Sequence, residues 1–207
     1  RDRLRSRGLG DVYKRQILGV ALPMLVAQIL SLLYNIVDRI YIARIPSVGT
    51  TALGAVGLCF PIIVIITAFS NLFGSGGAPL FSINRGKGNI KKAEAIMNTS
   101  FSMLCICGVA LMVIGMLFAS SILVLFGASE EGLSYAYPYM MIYLIGTVPS
   151  MIATGMNPFI NAQGYATSGM LSVTIGAVAN LILDPLFIFG LNLGIKGAAI
   201  ATIISQT

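Results

Sequence analysis

The sequence predicts an all-α integral membrane protein, a bundle of six transmembrane helices, and three observations carry that reading. Of 207 residues, 57% are hydrophobic and only 10% are charged, with a mean hydropathy of +0.90. Soluble domains carry roughly 25% charged residues, so this chain has too little polar surface to cover a water-soluble globule. The apolar residues also fall into runs long enough to cross a hydrocarbon core, which takes about 20 residues. Short segments rich in Gly, Asn and charged residues separate those runs.

Ile17 to about Ile45 forms the first span, interrupted by Pro23 and carrying Asp38 and Arg39. After the loop PSVGTT a second apolar stretch runs from about Ala52 to Ile83, and its Gly74, Gly76 and Gly77 are small enough to let helix backbones approach closely. NRGKGNIKK reads as a loop. Ala93–Phe126 is the third span, closed by GASEEG, and Leu133 to about Ile160 is the fourth, with Pro138, Pro149 and Pro158 inside it. The loop NAQGYATSG leads to a fifth span over Gly169–Phe189. Beyond GLNLGIKG a sixth begins at Ala198 and is cut off at Thr207. At about 1.5 Å per residue, the stretch after Lys196 falls short of a bilayer core of about 30 Å. The sequence therefore reads as a fragment of something longer.

Residues 1–16 stand apart in composition. They hold six basic residues against Asp2 and Asp11, a net +4 within the formal +6 of the whole chain. The segment reads as non-native sequence, such as translated adapter, or as a disordered basic tail touching anionic lipid, and the membrane lobe occupies residues 17–207. Outside it no basic stripe with interleaved aromatics suggests nucleic acid. Histidine is absent, and Cys59, Cys105 and Cys107 lie in apolar runs where a free thiol acts as a small hydrophobe. Neither a disulfide framework nor a transition-metal site is expected, and no cofactor is implied.

Cytoplasmic loops collect Lys and Arg. The loop after the second span carries Arg85, Lys87, Lys91 and Lys92, whereas the loop after the third carries Glu130 and Glu131. The second and fourth loops are therefore expected in the cytoplasm, and with them the N-terminal end of the first helix. Arg44 and Lys196 fall on the opposite side. The expected location is the plasma membrane.

Once the loops and the span ends beside them are set aside, only Asp38, Arg39 and Asp184 remain as ionisable acids or bases. A charge at the bilayer centre costs at least about 2.5 kcal/mol on insertion scales, so such residues face a bundle interior or a water-filled cavity and mark function by default. Arg39, near a helix end, can snorkel. Asn180 lies four residues before Asp184, on the same helix face, and Pro185 frees the Leu181 carbonyl one turn earlier. A carboxylate, an amide oxygen and a spare carbonyl on one turn suit a proton or a hard cation. Tyr34 and Asn35 share the face of Asp38, and Thr202 adds a hydroxyl from the sixth span. The plainer reading is that these groups only hydrogen-bond helices together, at about 0.6 kcal/mol each. It is preferred for Asn35 and rejected for the two aspartates, since an apolar residue would insert at lower cost.

From Ile17 to Thr207 the chain resembles the N-terminal half of the multidrug and toxic compound extrusion (MATE) transporters. The likeness rests on ALPMLVAQILSLLYNIVDRIYIARI, GTTALGAVGL, NRGKGNIKKAE, NPFINAQGYATSG, NLILDPLFIFG and GIKGAAIATIISQ, in that order. It implies one lobe of a twelve-helix protein built from two six-helix lobes. The implied activity is export of organic cations or other amphipathic compounds by antiport with H⁺ or Na⁺. By position it implies a coupling site of Asp38, Tyr139, Asn180, Asp184 and Thr202, with Tyr135, Tyr137 and Tyr143 as neighbouring alternatives to Tyr139. Na⁺, if used, would sit at Asp38, Asn180, Asp184 and Thr202. The resemblance also implies a hinge at Pro23, and Pro185 is a second hinge candidate. Ala43 departs from the family's usual Gly. The partners implied are the small-molecule substrate, the bilayer and a C-terminal lobe. A lipid-linked-oligosaccharide flippase of the same superfamily should carry a basic cavity, and only Arg39 is embedded here. A membrane aspartyl enzyme usually has Gly after a catalytic Asp, where Arg39 and Pro185 stand, and no repeated segment suggests a channel filter.

Overall fold

In lipid a chain of long apolar runs can satisfy its own N–H and C=O groups only as helices or as a closed barrel. A computed structural model describes residues 2–46 and 48–207, with side chains described from Ile17 onward except Val20. Residues 2–16, read as a foreign or disordered basic tail, are helical as the start of α1, and their side chains lie outside the described residues. The helices are α1 (Asp2–Ala43), α2 (Gly49–Gly86), α3 (Ile90–Leu125), α4 (Glu130–Ile145), α5 (Thr147–Ala162), α6 (Ala166–Pro185) and α7 (Ile195–Gln206). A π-helical turn, Leu186–Gly190, follows α6.

Among the described residues, four stretches are long and apolar enough to span a membrane: Ile17–Ala43 of α1, then α2, α3 and Ala166–Gly190. A fifth is formed by α4 and α5 together, bent by 57°. The twelve-residue α7 lies where the sequence places the start of its sixth span. The fourth span is therefore not one continuous rod. The chain breaks at Gly146, three residues before Pro149, which has no N–H to bond the Ile145 carbonyl and whose ring crowds it. Gly146 N–H donates to the Tyr143 carbonyl at 3.1 Å, a tightened last turn for α4.

The connections are shorter than sequence composition suggests. In NRGKGNIKK only residues 87–89 are non-helical, because Gly88 takes a positive φ of 76° that ends α2 and Asn89 accepts the Lys92 N–H to start α3. In GASEEG, Gly127 at φ 90° ends α3, and the Ser129 hydroxyl caps α4 by accepting from Gly132 N–H at 3.1 Å. Glu130 and Glu131 then lie in the first turn, where the helix dipole favours acids. NAQGYATSG keeps only residues 163–165 outside helices.

Packing relies on small residues. Ala52, Ala55, Ala136, Ala198 and Ala199 are buried in the main core with Ile42, Leu104, Leu144 and Met151. At the α2–α5 crossing, a Cβ on Gly74 would run into the Gly155 backbone. Gly77 meets Ser100 and Phe159, but Gly76, read as a third close-approach residue, has nothing within 4 Å. Many large apolar side chains point outward, Leu117 and Leu125 among them. Water would penalise that belt, and lipid accepts it.

Candidate functional site

The last turn of α6 carries Asn180 and Asp184 on its inward face, and both are buried, at 1% and 0% exposure. Asn180 Nδ2 donates to Asp184 Oδ1 at 3.2 Å, so the i, i+4 spacing read from the sequence becomes a hydrogen bond. α1 packs along α6 and brings half-buried Asp38 opposite. The two carboxyl groups come within hydrogen-bonding range of each other. Yet Asp38 Oδ1, Asp184 Oδ2 and Asn180 Oδ1 are all shielded from solvent and have no donor. Ionised carboxylates cannot donate to each other, so the cluster holds buried hard oxygens with no positive partner.

Tyr139, on α4, is 3% exposed and lies within electrostatic reach of both aspartates and of Cys59. Its ring stacks on Tyr143, centroids 6.4 Å apart at 14°. Thr202 is buried on α7, but its hydroxyl donates to the Ala198 carbonyl of its own helix at 2.9 Å. Arg39 turns to the outside, its guanidinium carbon 5.5 Å from the centre of the Phe60 ring. Asn35 links no helices, since it donates to Ser31 O of α1 at 2.7 Å. Pro23 is half-buried inside α1, which continues through it as one helix.

Two carboxylates and an amide oxygen are hard donors, fit for a proton or a small cation. No third acid, nor any His or Cys, joins them as a metal-holding group among the described residues.

A cavity of about 690 Å³ adjoins this cluster, bounded by α1, α2, α5, α6 and α7 with Tyr143 from α4. Its wall holds amides and hydroxyls such as Gln28, Ser31, Thr67, Asn71, Asn157 and Gln206, and no charged residue among the described ones. Asp38 and Asp184 are not part of the wall. The sequence reading missed this cavity. A signal was present: Gln28, Ser31 and Asn35 on α1, and Thr67, Ser70 and Asn71 on α2, recur at helical spacing and form polar stripes on otherwise apolar spans.

The fold and the paired aspartates can be set against known proteins. A family model described as MatE matches residues 23–186. The chain belongs to the MatE family. Among curated MATE-type relatives, it is 31% identical over 195 residues to a FAD transporter of Shewanella oneidensis, covering 92% of this chain and 42% of that protein. It is 31% identical over 186 residues to the multidrug export protein MepA of Staphylococcus haemolyticus, covering 90% and 41%. The chain thus spans about two-fifths of the length of the curated relatives it matches. Among solved structures, an outward-facing multidrug resistance MATE transporter of the MOP superfamily aligns with TM-score 0.86 and 28% identity over 93% of this chain and 42% of that one. A MATE structure in complex with MaD3S aligns with TM-score 0.87 at 28% identity, covering 93% and 43%. These relatives are transporters, so the aspartyl-enzyme reading falls away.

Proposed function

We propose that this chain is one lobe of a twelve-helix exporter that moves amphipathic or cationic small molecules out of the cell in exchange for H⁺ or Na⁺. The single observation that carries the reading is the meeting of Asp38 and Asp184, with three shielded oxygens that lack a donor. Such an arrangement gains most from a mobile positive charge, and an exporter needs a place to bind and release one. Asn180 holds Asp184 in position, Tyr139 closes the site from α4, and Thr202 offers its oxygen lone pairs from α7. Pro23, the cavity wall and Asp38 follow one another along α1, so a bend at Pro23 would reshape the cavity while the acids change their ion. Pro185 is the corresponding hinge on α6.

A C-terminal lobe completes the cavity, and rocking of one lobe against the other gives alternating access. The α2–α3 and α5–α6 connections and the N-terminal end of α1 face the cytoplasm of a cell whose plasma membrane the protein spans. The flippase reading is disfavoured by a cavity wall without Lys or Arg.

The test is efflux by the full-length protein in lipid vesicles under an imposed pH or Na⁺ gradient, with a cationic dye and FAD as substrates. FAD is included because one relative is a FAD transporter. One gradient should drive efflux, and Asp184→Asn should remove that dependence. Efflux indifferent to both gradients would overturn the antiport reading.

A further inference from the structure

Tyr143 is the residue that belongs to both halves of the site. It lines the cavity and is only 7% exposed, while its ring runs nearly parallel to that of Tyr139, which lies within electrostatic reach of the acid pair. Tyr34, half-buried on α1, also lines the cavity and lies within electrostatic reach of Tyr143. Each tyrosine is one helical turn from a member of the coupling cluster. Tyr34 precedes Asp38 by four residues on α1, and Tyr143 follows Tyr139 by four on α4. Two side-chain ladders therefore lead from the cavity to the carboxylates, one on α1 and one on α4, and the tyrosines are their cavity-side rungs.

Resting on the antiport reading, we propose that Tyr34 and Tyr143 form an aromatic septum through which the coupling ion passes between the cavity and Asp38 with Asp184. Aromatic rings exclude bulk water, and their hydroxyls can hand a proton or a partly dehydrated cation onward. The septum has a mechanical link as well. The Tyr143 carbonyl accepts from Gly146 N–H at 3.1 Å and from the Thr147 hydroxyl at 3.5 Å, so Tyr143 is fastened to the joint between α4 and α5. Any change in the 57° bend moves this ring relative to Tyr34. Ion and substrate would then share one compartment, which makes their competition direct. Tyr34 and Tyr143 are positioning residues, since they act on the carboxylates through access. The charged or titratable groups around the route are Asp38, Asp184, Arg39, Tyr139 and Cys59.

The experiment labels the full-length protein with a water-soluble carbodiimide and an amine nucleophile, and reads modification of Asp38 and Asp184 by mass spectrometry. A lipid-soluble carbodiimide runs in parallel. Opening the septum with Tyr143→Ala or Tyr34→Ala should speed water-soluble labelling about tenfold, with lipid-soluble labelling unchanged and Tyr143→Phe near wild type. Leu144→Ala removes a fully buried neighbour on the same helix and controls for general loosening. Labelling that rises equally in Leu144→Ala, or does not rise in either tyrosine variant, overturns the septum. Those outcomes leave the antiport reading standing, because it fails only if efflux is indifferent to both gradients.

Discussion

The cavity and the acid pair are neighbours with opposite ways of holding polar groups. In the cavity several hydroxyls lean on their own helix, while Asn157 donates to the Gly169 carbonyl of α6 at 3.3 Å and Ser150 to Gln206 of α7 at 2.9 Å. Thr67 donates to Ile63 O at 2.8 Å, Ser70 to Ile66 O at 3.0 Å and Ser172 to Ser168 O at 3.1 Å. Those groups are satisfied before any ligand arrives, so they can meet many ligands weakly. At the acid pair the polar atoms are set against each other across helices, and three of their oxygens have no donor. A locally satisfied wall costs little and selects little. An unsatisfied pair of carboxylates destabilises the bundle until a positive charge joins it. The two regions divide the labour of exchange between tolerance and demand.

Substitutions can break that contrast, and the largest effect should come from the acids. Replacing both Asp38 and Asp184 by Asn should abolish ion-dependent efflux, at least about tenfold below wild type, while raising the melting temperature in detergent, because the buried like charges are gone. A lower melting temperature would show that the pair holds the bundle together instead. Next in size is Asn180→Leu, which removes the donor to Asp184. Thermal or denaturant unfolding should show a loss of about 1–3 kcal/mol, the range for leaving a buried acceptor unpaired. Ser150→Ala deletes one bond across helices, from Ser150 Oγ to Gln206 Oε1 at 2.9 Å, and should cost about 0.6 kcal/mol in the same measurement. Smallest is Thr67→Val on the cavity wall, expected within about 0.5 kcal/mol of wild type. A large loss there would mean that the wall is not locally satisfied after all.

The spans and the two aspartates were legible because their physics is one-dimensional. Run length gives a helix that crosses the membrane, and the insertion penalty singles out Asp38 and Asp184 without any neighbour being known. The Asn180–Asp184 contact was legible for the same reason, being fixed by helix spacing. Three features needed the third dimension. The break at Gly146 depended on whether Pro149 bends the fourth span or ends it, and apolar composition is equal on both sides. The cavity belongs to six helices at once, and its polar stripes read singly as ordinary helix decoration. Gly76 has the same neighbours in sequence as Gly74 and Gly77 but faces away from α3 and α5, which only packing decides.

The π-helical turn after Asp184 carries a consequence of its own. In Leu186–Gly190 the Leu191 N–H reaches back five residues to Leu186 O at 2.8 Å, so the chain holds one residue more than an α-helix needs there. The Leu193 and Gly194 N–H groups reach back to the Phe187 and Ile188 carbonyls at 3.1 and 3.3 Å, so three backbone bonds tie the outgoing chain to this turn. Asn192 and Gly194 take positive φ of 55° and 56°, and the chain reverses into α7, where Gly197 lies against the Phe187 backbone. The helix that carries Thr202 is thus hung from the turn that follows Asp184. Deleting one residue from the turn should slacken α7 against α6 while both carboxylates stay in place.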